Sequence, residues 1–442
     1  MKMPFRTSSS RSICGRQIAT WSRLTRMAWL LFLSGVLCLP APAAAQPDHA
    51  LLQYCPAEYH AVSIAELATQ SVSPIRVSVR PVSDFITPAT LAENNPLDVP
   101  LYLAKRIPKP IRRLLASPST HLILLPDLLD RAIPTLRQQG FSSGAVFLAD
   151  LNTRVQVAYL VFSQPRGMTV VVTHLFGQTR LEHLAWQYAT FLFKAGRSLD
   201  AIEIWETQNP DTLARELCFD ALQDLDPDQP TVICSGYFGS LKHVLADFEL
   251  FHRRHPGSLP TLAQLDHLRA IEQPGQITTT LGGNPYFPWW QTFLTHPDGR
   301  RTRIIGFRNL YGDQTGTLFS CLLEKGFRRF VLFSNGGGLA HTSLRTLYAP
   351  GVARDGQTTV PLRNLAIRRY PARALVSVPS LLVETSRWLE EHRFCSLVDV
   401  EGVHAARALA PYPDSRLYYA ILVSDRPGHI DITQKEEDAP DS

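Results

Sequence analysis

Phe330-Val331-Leu332-Phe333-Ser334-Asn335-Gly336-Gly337-Gly338 runs four apolar residues into three consecutive glycines. The apolar part reads as a short buried strand and the rest as the loop that follows it. Without Cβ atoms, backbone N–H groups in such a loop approach an anion or a sugar closely, and a simple turn needs only one glycine. Upstream, Thr231 to Cys234 is a second buried-type strand, followed by the loop Ser235-Gly236-Tyr237-Phe238-Gly239-Ser240 and a helix from Leu241. A strand at Arg303 to Gly306 and a helix at Thr315 to Lys325 lie between the two. Beyond the glycines, Leu397 to Asp399 and Leu417 to Val423 read as strands, with a helical stretch containing His404 and Arg407 between them. Strands alternating with helices predict a mostly parallel sheet covered on both faces, with ligands beyond the carboxyl ends of its strands.

The preceding half has a different grammar. From Pro47 to about Leu115 the chain is rich in proline and polar breaks and reads as loops and edge strands. Then come a strand at Leu122 to Leu125, a helix at Leu128 to Gln138, and three β-rich runs, Ala145 to Leu148, Val155 to Phe162 and Met168 to His174. Their short connections predict antiparallel neighbours. Leu181 to Lys194 reads as an amphipathic helix, and Asp200 to Glu206 and Leu213 to Leu225 as further helices. The Pro-broken Asp224 to Pro230 links this α+β region to the α/β half. The aromatic run Tyr286 to Trp290 is expected to bury against the N-terminal region.

The formal charge is +5, yet the first 46 residues carry six basic residues and no acid, which leaves −1 for the rest. A near-neutral remainder argues against nucleic acid and anionic membrane surfaces as partners. The basic stretch through Arg26, the apolar run Met27 to Leu39 and the small residues ending at Ala45 read as a signal peptide cut before Gln46. That apolar run, about 13 residues, falls short of a bilayer span, so no membrane attachment is expected after cleavage. The expectation is an exported, periplasmic or secreted protein. Cleavage leaves Cys55, Cys218, Cys234, Cys321 and Cys395, an odd number without metal-ligand spacing, so no metal is expected.

Two apolar runs in the second half end in acids: Leu397-Val398-Asp399-Val400-Glu401-Gly402 carries Asp399 and Glu401, and Asp425 ends the last strand. Acids at strand ends beside a glycine loop suit general acid chemistry. Cys234 to Leu241, Gly306-Phe-Arg-Asn-Leu-Tyr-Gly312, Asn335 to Leu339, Glu384-Thr385, Val398 to Gly402 and Val423-Ser-Asp425 follow one another as motifs do in the nucleoside phosphorylase and nucleosidase superfamily. The chain resembles that family over roughly Asp228 to Ile432.

The resemblance implies an α/β fold class: a phosphorylase-like three-layer domain with a mostly parallel mixed sheet over residues 228–435. It follows the signal peptide (1–45) and an α+β region of unknown role (46–227), and precedes a disordered acidic tail (436–442). It also implies an enzyme that binds a purine or other nucleoside, or a related small molecule, and cleaves its N-glycosidic bond. Asp425 would be the general acid for the departing base, and Glu401, with Val400, would hold the ribose. Val383 and Glu384 fall at the base pocket, and Asn309 and Tyr311 near ribose and phosphate. Gly236, Gly239, Arg308, Ser334, Asn335, Gly336 and Gly337 would surround phosphate or the attacking water. No organic cofactor is implied; phosphate is open as a co-substrate, and a homo-oligomer is open too.

Val400, Val383, Leu332 and Gly236 stand where the family carries a methionine, a base-stacking aromatic, a phosphate-gripping arginine and a phosphate-binding serine. Arg308 or Lys242 would have to compensate, so hydrolysis and phosphorolysis stay equally open. A non-catalytic nucleoside-binding module is one alternative. A serine hydrolase of α/β-hydrolase type is another, because Ser334, Asp399 and His429 stand in that fold's order, although Gly-x-Ser-x-Gly is absent.

Overall fold

The computed structural model describes residues 62–63, 75–141, 144–150, 156–165, 167–227, 231–236, 280–284, 286–295, 301–307, 310–356 and 358–427. The leader, the loop from Tyr237 with Gly239, the helix from Leu241 with Lys242, Arg308, Asn309, His429 and the acidic tail lie outside the described residues.

Seven strands form the first sheet: β1 (Val62–Ser63), β2 (Ser78–Pro81), β3 (Thr120–Leu124), β4 (Gly144–Asp150), β5 (Gln156–Gln164), β6 (Gly167–Thr173) and β7 (Ile202–Glu206). Their order is β1-β4-β5-β6-β3-β7-β2, and β4, β5 and β6 are antiparallel neighbours, as their short connections predict. Two stretches differ from the sequence reading. The Pro-rich segment holds three helices, α1 (Pro88–Ala92), α2 (Val99–Arg106) and α3 (Lys109–Ala116), each with proline in its first two positions. A proline there removes an N–H that would have no partner anyway, so it starts a helix where it had read as a break. Asp98 caps α2 by accepting from the Leu101 N–H at 3.0 Å. Residues 202–206, read as helix, are strand β7. Ile202 and Ile204 are fully buried while Glu203 and Trp205 are less so, the period of two that a strand requires. Helices α4 (Leu129–Gln138), α5 (Gln178–Lys194) and α6 (Pro210–Ala221) match the sequence pattern.

The second sheet has ten strands: β8 (Thr231–Gly236), β9 (Thr280–Gly283), β10 (Pro288–Thr295), β11 (Arg301–Phe307), β12 (Arg329–Gly338), β13 (Leu347–Asp355), β14 (Thr358–Pro361), β15 (Ala372–Ser377), β16 (Leu397–Asp399) and β17 (Arg416–Asp425). Its centre, β11-β8-β12-β17, is parallel, and its edges add antiparallel pairs, so the sheet is mixed. Strand β17 pairs both β12 and β13, and β12 reaches β13 again through β16 and β15; these five strands therefore close on themselves.

That closure corrects the reading of the glycine run. Ser334 to Gly338 is the end of β12, with a register shift between Gly336 and Gly337. Gly337 faces Asp425 on one side and Val398 on the other. A Cβ on Gly336 would lie 2.7 Å from the Val398 carbonyl oxygen, and one on Gly338 2.4 Å from Thr342 Oγ1. The glycines let three strands converge at a bulge. Gly236 serves β8 in the same way: its φ is +132°, and a Cβ would sit 1.7 Å from the Phe333 carbonyl oxygen.

Helix α7 (Asp313–Glu324) follows β11, α8 (Ser386–Glu391) lies between β15 and β16, and α9 (Gly402–Leu409) lies between β16 and β17. One hydrophobic core runs from Leu213, Ala214 and Cys218 on α6 through Phe319 on α7 to Ile305, Leu397 and Ile421 of the second sheet. Phe287 and Trp289 are buried in it, with Phe287 5.8 Å from Phe176 between ring centroids, as expected for that aromatic run. Trp289 Nε1 donates to the Ala221 carbonyl at 2.9 Å.

Candidate active site

The end of β17, the β16 to α9 turn and a 3₁₀ turn at Leu381–Val383 bring most of the described candidates together. Glu384, Asp399, Glu401 and Asp425 are all buried, with exposures of 6%, 6%, 4% and 6%. Burial raises the Glu384 carboxyl well above its ordinary range, and the nearby Asp425 carboxylate raises it further. Ser424 Oγ donates to Asp425 Oδ1 at 2.6 Å. Burial also raises Glu401, with the Asp399 carboxylate adding to it. Burial and the neighbouring carboxylate thus make each of these two pairs resist full ionisation.

Asp399 is tied into the backbone. It accepts from Ser377 Oγ at 2.7 Å, from the Gly402 N–H at 3.0 Å and from the Tyr419 hydroxyl. Ser377 Oγ in turn accepts from the Val403 N–H at 3.0 Å. Asp399 and Ser377 thus satisfy the first N–H groups of α9, where a carboxyl suits the helix dipole. Glu401, at the N-cap of that helix, makes no side-chain cap bond. The two acids, two residues apart, thus differ: Asp399 anchors the turn, and Glu401 does not cap the helix.

Val383 and Val400 pack into one apolar cluster with Val376, Val378 and Val398. Tyr311 reaches the same region, its hydroxyl donating to the Pro379 carbonyl at 2.8 Å. Other candidates are placed differently. Gly236 is paired with Phe333 inside the sheet, Asn335 is exposed on β12, and Gly336 and Gly337 lie in the three-strand junction. Ser334 is fully buried (0% exposed), 3.5 Å from the Asn335 carbonyl oxygen. A nucleophile elbow needs an exposed hydroxyl on a sharp turn, and a mid-strand buried serine has neither, so the serine-hydrolase reading loses its nucleophile.

The N-terminal half builds one wall of this site. Asn95 Nδ2 donates to the Leu382 carbonyl at 3.0 Å, Thr385 Oγ1 to Glu93 at 2.7 Å, and the Ser386 N–H to the Asn94 carbonyl at 2.7 Å. Leu382 is buried in the hydrophobic core of the first sheet. Helix α5 lays His183 against the same turn, with Nδ1 2.8 Å from the Tyr311 hydroxyl and 3.0 Å from Ser380 Oγ. Because the Tyr311 proton goes to Pro379, His183 donates from Nδ1 and accepts from Gln187 Nε2 at 2.6 Å. Burial holds this imidazole well below its ordinary pKa, which keeps it neutral. Sequence reading missed Arg180, His183, Gln187 and Ser380. The polar stripe at spacings of three and four on α5 was the available signal, but it reads as a solvated helix face.

No family model matches the chain, and no curated protein matches it. Among solved structures, the 5′-methylthioadenosine/S-adenosyl homocysteine nucleosidase of Campylobacter jejuni is similar at 10% identity over 47% of this chain and 91% of that chain, with a TM-score of 0.33. The AMP nucleosidase from Bacteroides thetaiotaomicron is similar at 12% identity over 50% of this chain and 92% of that one, with a TM-score of 0.31. The Neisseria meningitidis 5′-methylthioadenosine/S-adenosylhomocysteine nucleosidase in complex with methylthio-immucillin-A is similar at 10% identity, covering 47% and 91%, with a TM-score of 0.31. Each of these likenesses spans about half of this chain and most of the other.

Proposed function

We propose that this protein is an exported enzyme that binds a purine nucleoside and cleaves its N-glycosidic bond. The observation that carries the reading is the buried carboxyl pair Glu384 and Asp425 beside the apolar wall of Val383 and Val400. An N-glycosidic bond breaks through an oxocarbenium-like sugar, so the departing base needs a proton and the sugar needs oriented acceptors. Asp425 passes a proton to the base nitrogen as the bond from the sugar C1′ breaks. Water or phosphate then adds at C1′; water loses one proton to the carboxyl pair as it adds, and with phosphate that proton comes from dihydrogen phosphate or from solvent. Glu401, not engaged in capping, holds the ribose hydroxyls, while Glu384 and the valines meet the base.

The test incubates the mature protein with a panel of purine and pyrimidine nucleosides, with and without phosphate, and separates free base from sugar product. Purine release without phosphate identifies hydrolysis, and release that requires phosphate identifies phosphorolysis. Binding without release identifies a binding module and overturns the catalytic part. Export is checked by mass spectrometry of secreted or periplasmic material, which should begin near Gln46; an intact leader on the functional protein overturns it.

A further inference from the structure

Arg180, on the first turn of α5, is 2% exposed, and its Nε and Nη2 have no hydrogen-bond partner among the described residues. Its guanidinium carbon lies 5.4 Å from the ring centroid of Tyr311. Arg106, at the end of α2, lies with its guanidinium carbon 5.5 Å from the ring centroid of Tyr102. Neither arginine has a carboxylate ion pair among the described residues. The Tyr102 phenol is within electrostatic reach of both and of Glu384, which links the two cations to the acid pair. Gln187, two turns further along α5, also keeps its Oε1 without a partner after donating to His183.

A guanidinium stays charged, and a buried charge without a counter-charge costs several kcal/mol. Aromatic faces recover part of that, but they leave the N–H donors of Arg180 unused. The polar groups around it are neutral: His183 lacks its second proton, the phenols of Tyr102 and Tyr311 carry theirs, and the Ser380 hydroxyl, which accepts from His183 Nδ1 and the Leu382 N–H, is uncharged. No counter-charge stands beside Arg180 among the described residues, so an anion brought by a ligand would complete it, and the unpartnered Gln187 carbonyl suits an O–H of the same ligand.

We propose that Arg180, assisted by Arg106, forms an anion subsite that takes the oxyanion of inorganic phosphate or of a phosphoryl group carried by the nucleoside. The proposal deepens the nucleoside reading and rests on it for the identity of the second substituent. It also gives the N-terminal half a role in binding.

The experiment is thermal melting of the mature full-length protein with millimolar inorganic phosphate, adenosine or adenosine 5′-monophosphate, each against sodium chloride of equal ionic strength. Phosphate or the nucleotide should raise the melting temperature of the parent beyond the chloride control. Arg180→Met should weaken that response about tenfold or more in apparent affinity, and without anion it should melt no lower than the parent, because an apolar chain replaces an unpaired buried charge. A response to phosphate alone assigns free phosphate; a response to the nucleotide alone assigns a phosphoryl group on the ligand. No anion response in the parent, or an equal response in Arg180→Met, overturns the proposal. A variant with lower stability and an intact anion response makes Arg180 a packing residue and also overturns it. If Arg180→Met does not fold, Arg180→Lys and Arg106→Met must each weaken the anion response, and unchanged responses in both are refuting. An Arg180-dependent phosphate response in a protein that releases no base keeps the subsite and refutes only the nucleoside reading.

Discussion

At the scale of single residues, Asp425 and Glu401 are separable by experiment. Asp425→Asn keeps a hydrogen-bonding shape but cannot give up a proton to a leaving base, so cleavage should slow about 10²–10⁴-fold with nucleoside binding retained. Rate measurements beside equilibrium binding check this, and a parental rate refutes the general-acid role. Glu401→Gln should weaken binding and catalysis together, because an amide offers one acceptor where a ribose diol can use two. Its effect on stability has a definite sign. Burial raises Glu401 in the folded protein, so its contribution is complete below the ordinary carboxylate range and is lost as pH rises through the raised value. Glu401→Gln should therefore flatten that alkaline loss in melting curves, and an unchanged slope places the titration elsewhere. Both acids stand out in the sequence because each closes an apolar run, and the structure buries both. Arg180 was not, because burial of a polar helix face leaves no local signature.

At the scale of elements, the N-terminus of α5 is held by two acids. Asp211 Oδ1 accepts from the Gln178 N–H at 2.9 Å and Asp313 Oδ2 from the Thr179 N–H at 2.8 Å. Burial, opposed by the Thr179 hydrogen bond and reinforced by Asp211, pushes Asp313 up to about 7. Folding thus binds a proton that the unfolded chain releases, and this stability is fully present below the ordinary carboxyl value of 3.8 and lost as pH rises to about 7. Asp313→Asn retains an oxygen for the Thr179 N–H and should remove that slope between pH 4 and 7. Melting as a function of pH decides it, and a variant with the parental slope excludes Asp313 as the titrating group. Long periodic helices and buried strands were legible because hydrophobic period reports them directly. The prolines of α1 to α3 misled because a proline's meaning depends on its position in the helix.

At the scale of the whole molecule, the N-terminal half lends helix α6 to the core of the second sheet. Leu213, Cys218 and Ala221 on α6 pack with Ile305, Phe319 and Leu397, and Asn94 and Asn95 clasp the turn that carries Val383 and Glu384. A fragment beginning at Asp228 leaves that apolar surface uncovered, at roughly 25 cal/mol for each Å² exposed. It should bind hydrophobic dyes and lack a cooperative melt, while the chain from Gln46 melts in one transition. A fragment that melts like the parent and still cleaves nucleoside would show that the N-terminal half is dispensable.

The sequence by itself determined the α/β grammar of the second half, the antiparallel meander β4-β5-β6, and the positions of Glu401 and Asp425. Each of these rests on local period, short connections or a compact motif. Only the tertiary structure decided that three glycines close a ring of strands instead of forming a loop, that Asp399 caps α9 while Glu401 does not, and that Arg180 lies buried beside Tyr311. These depend on what packs against a residue from tens to hundreds of positions away. Glycine, carboxylate and guanidinium take their roles from the neighbours that fill or leave open the space around them.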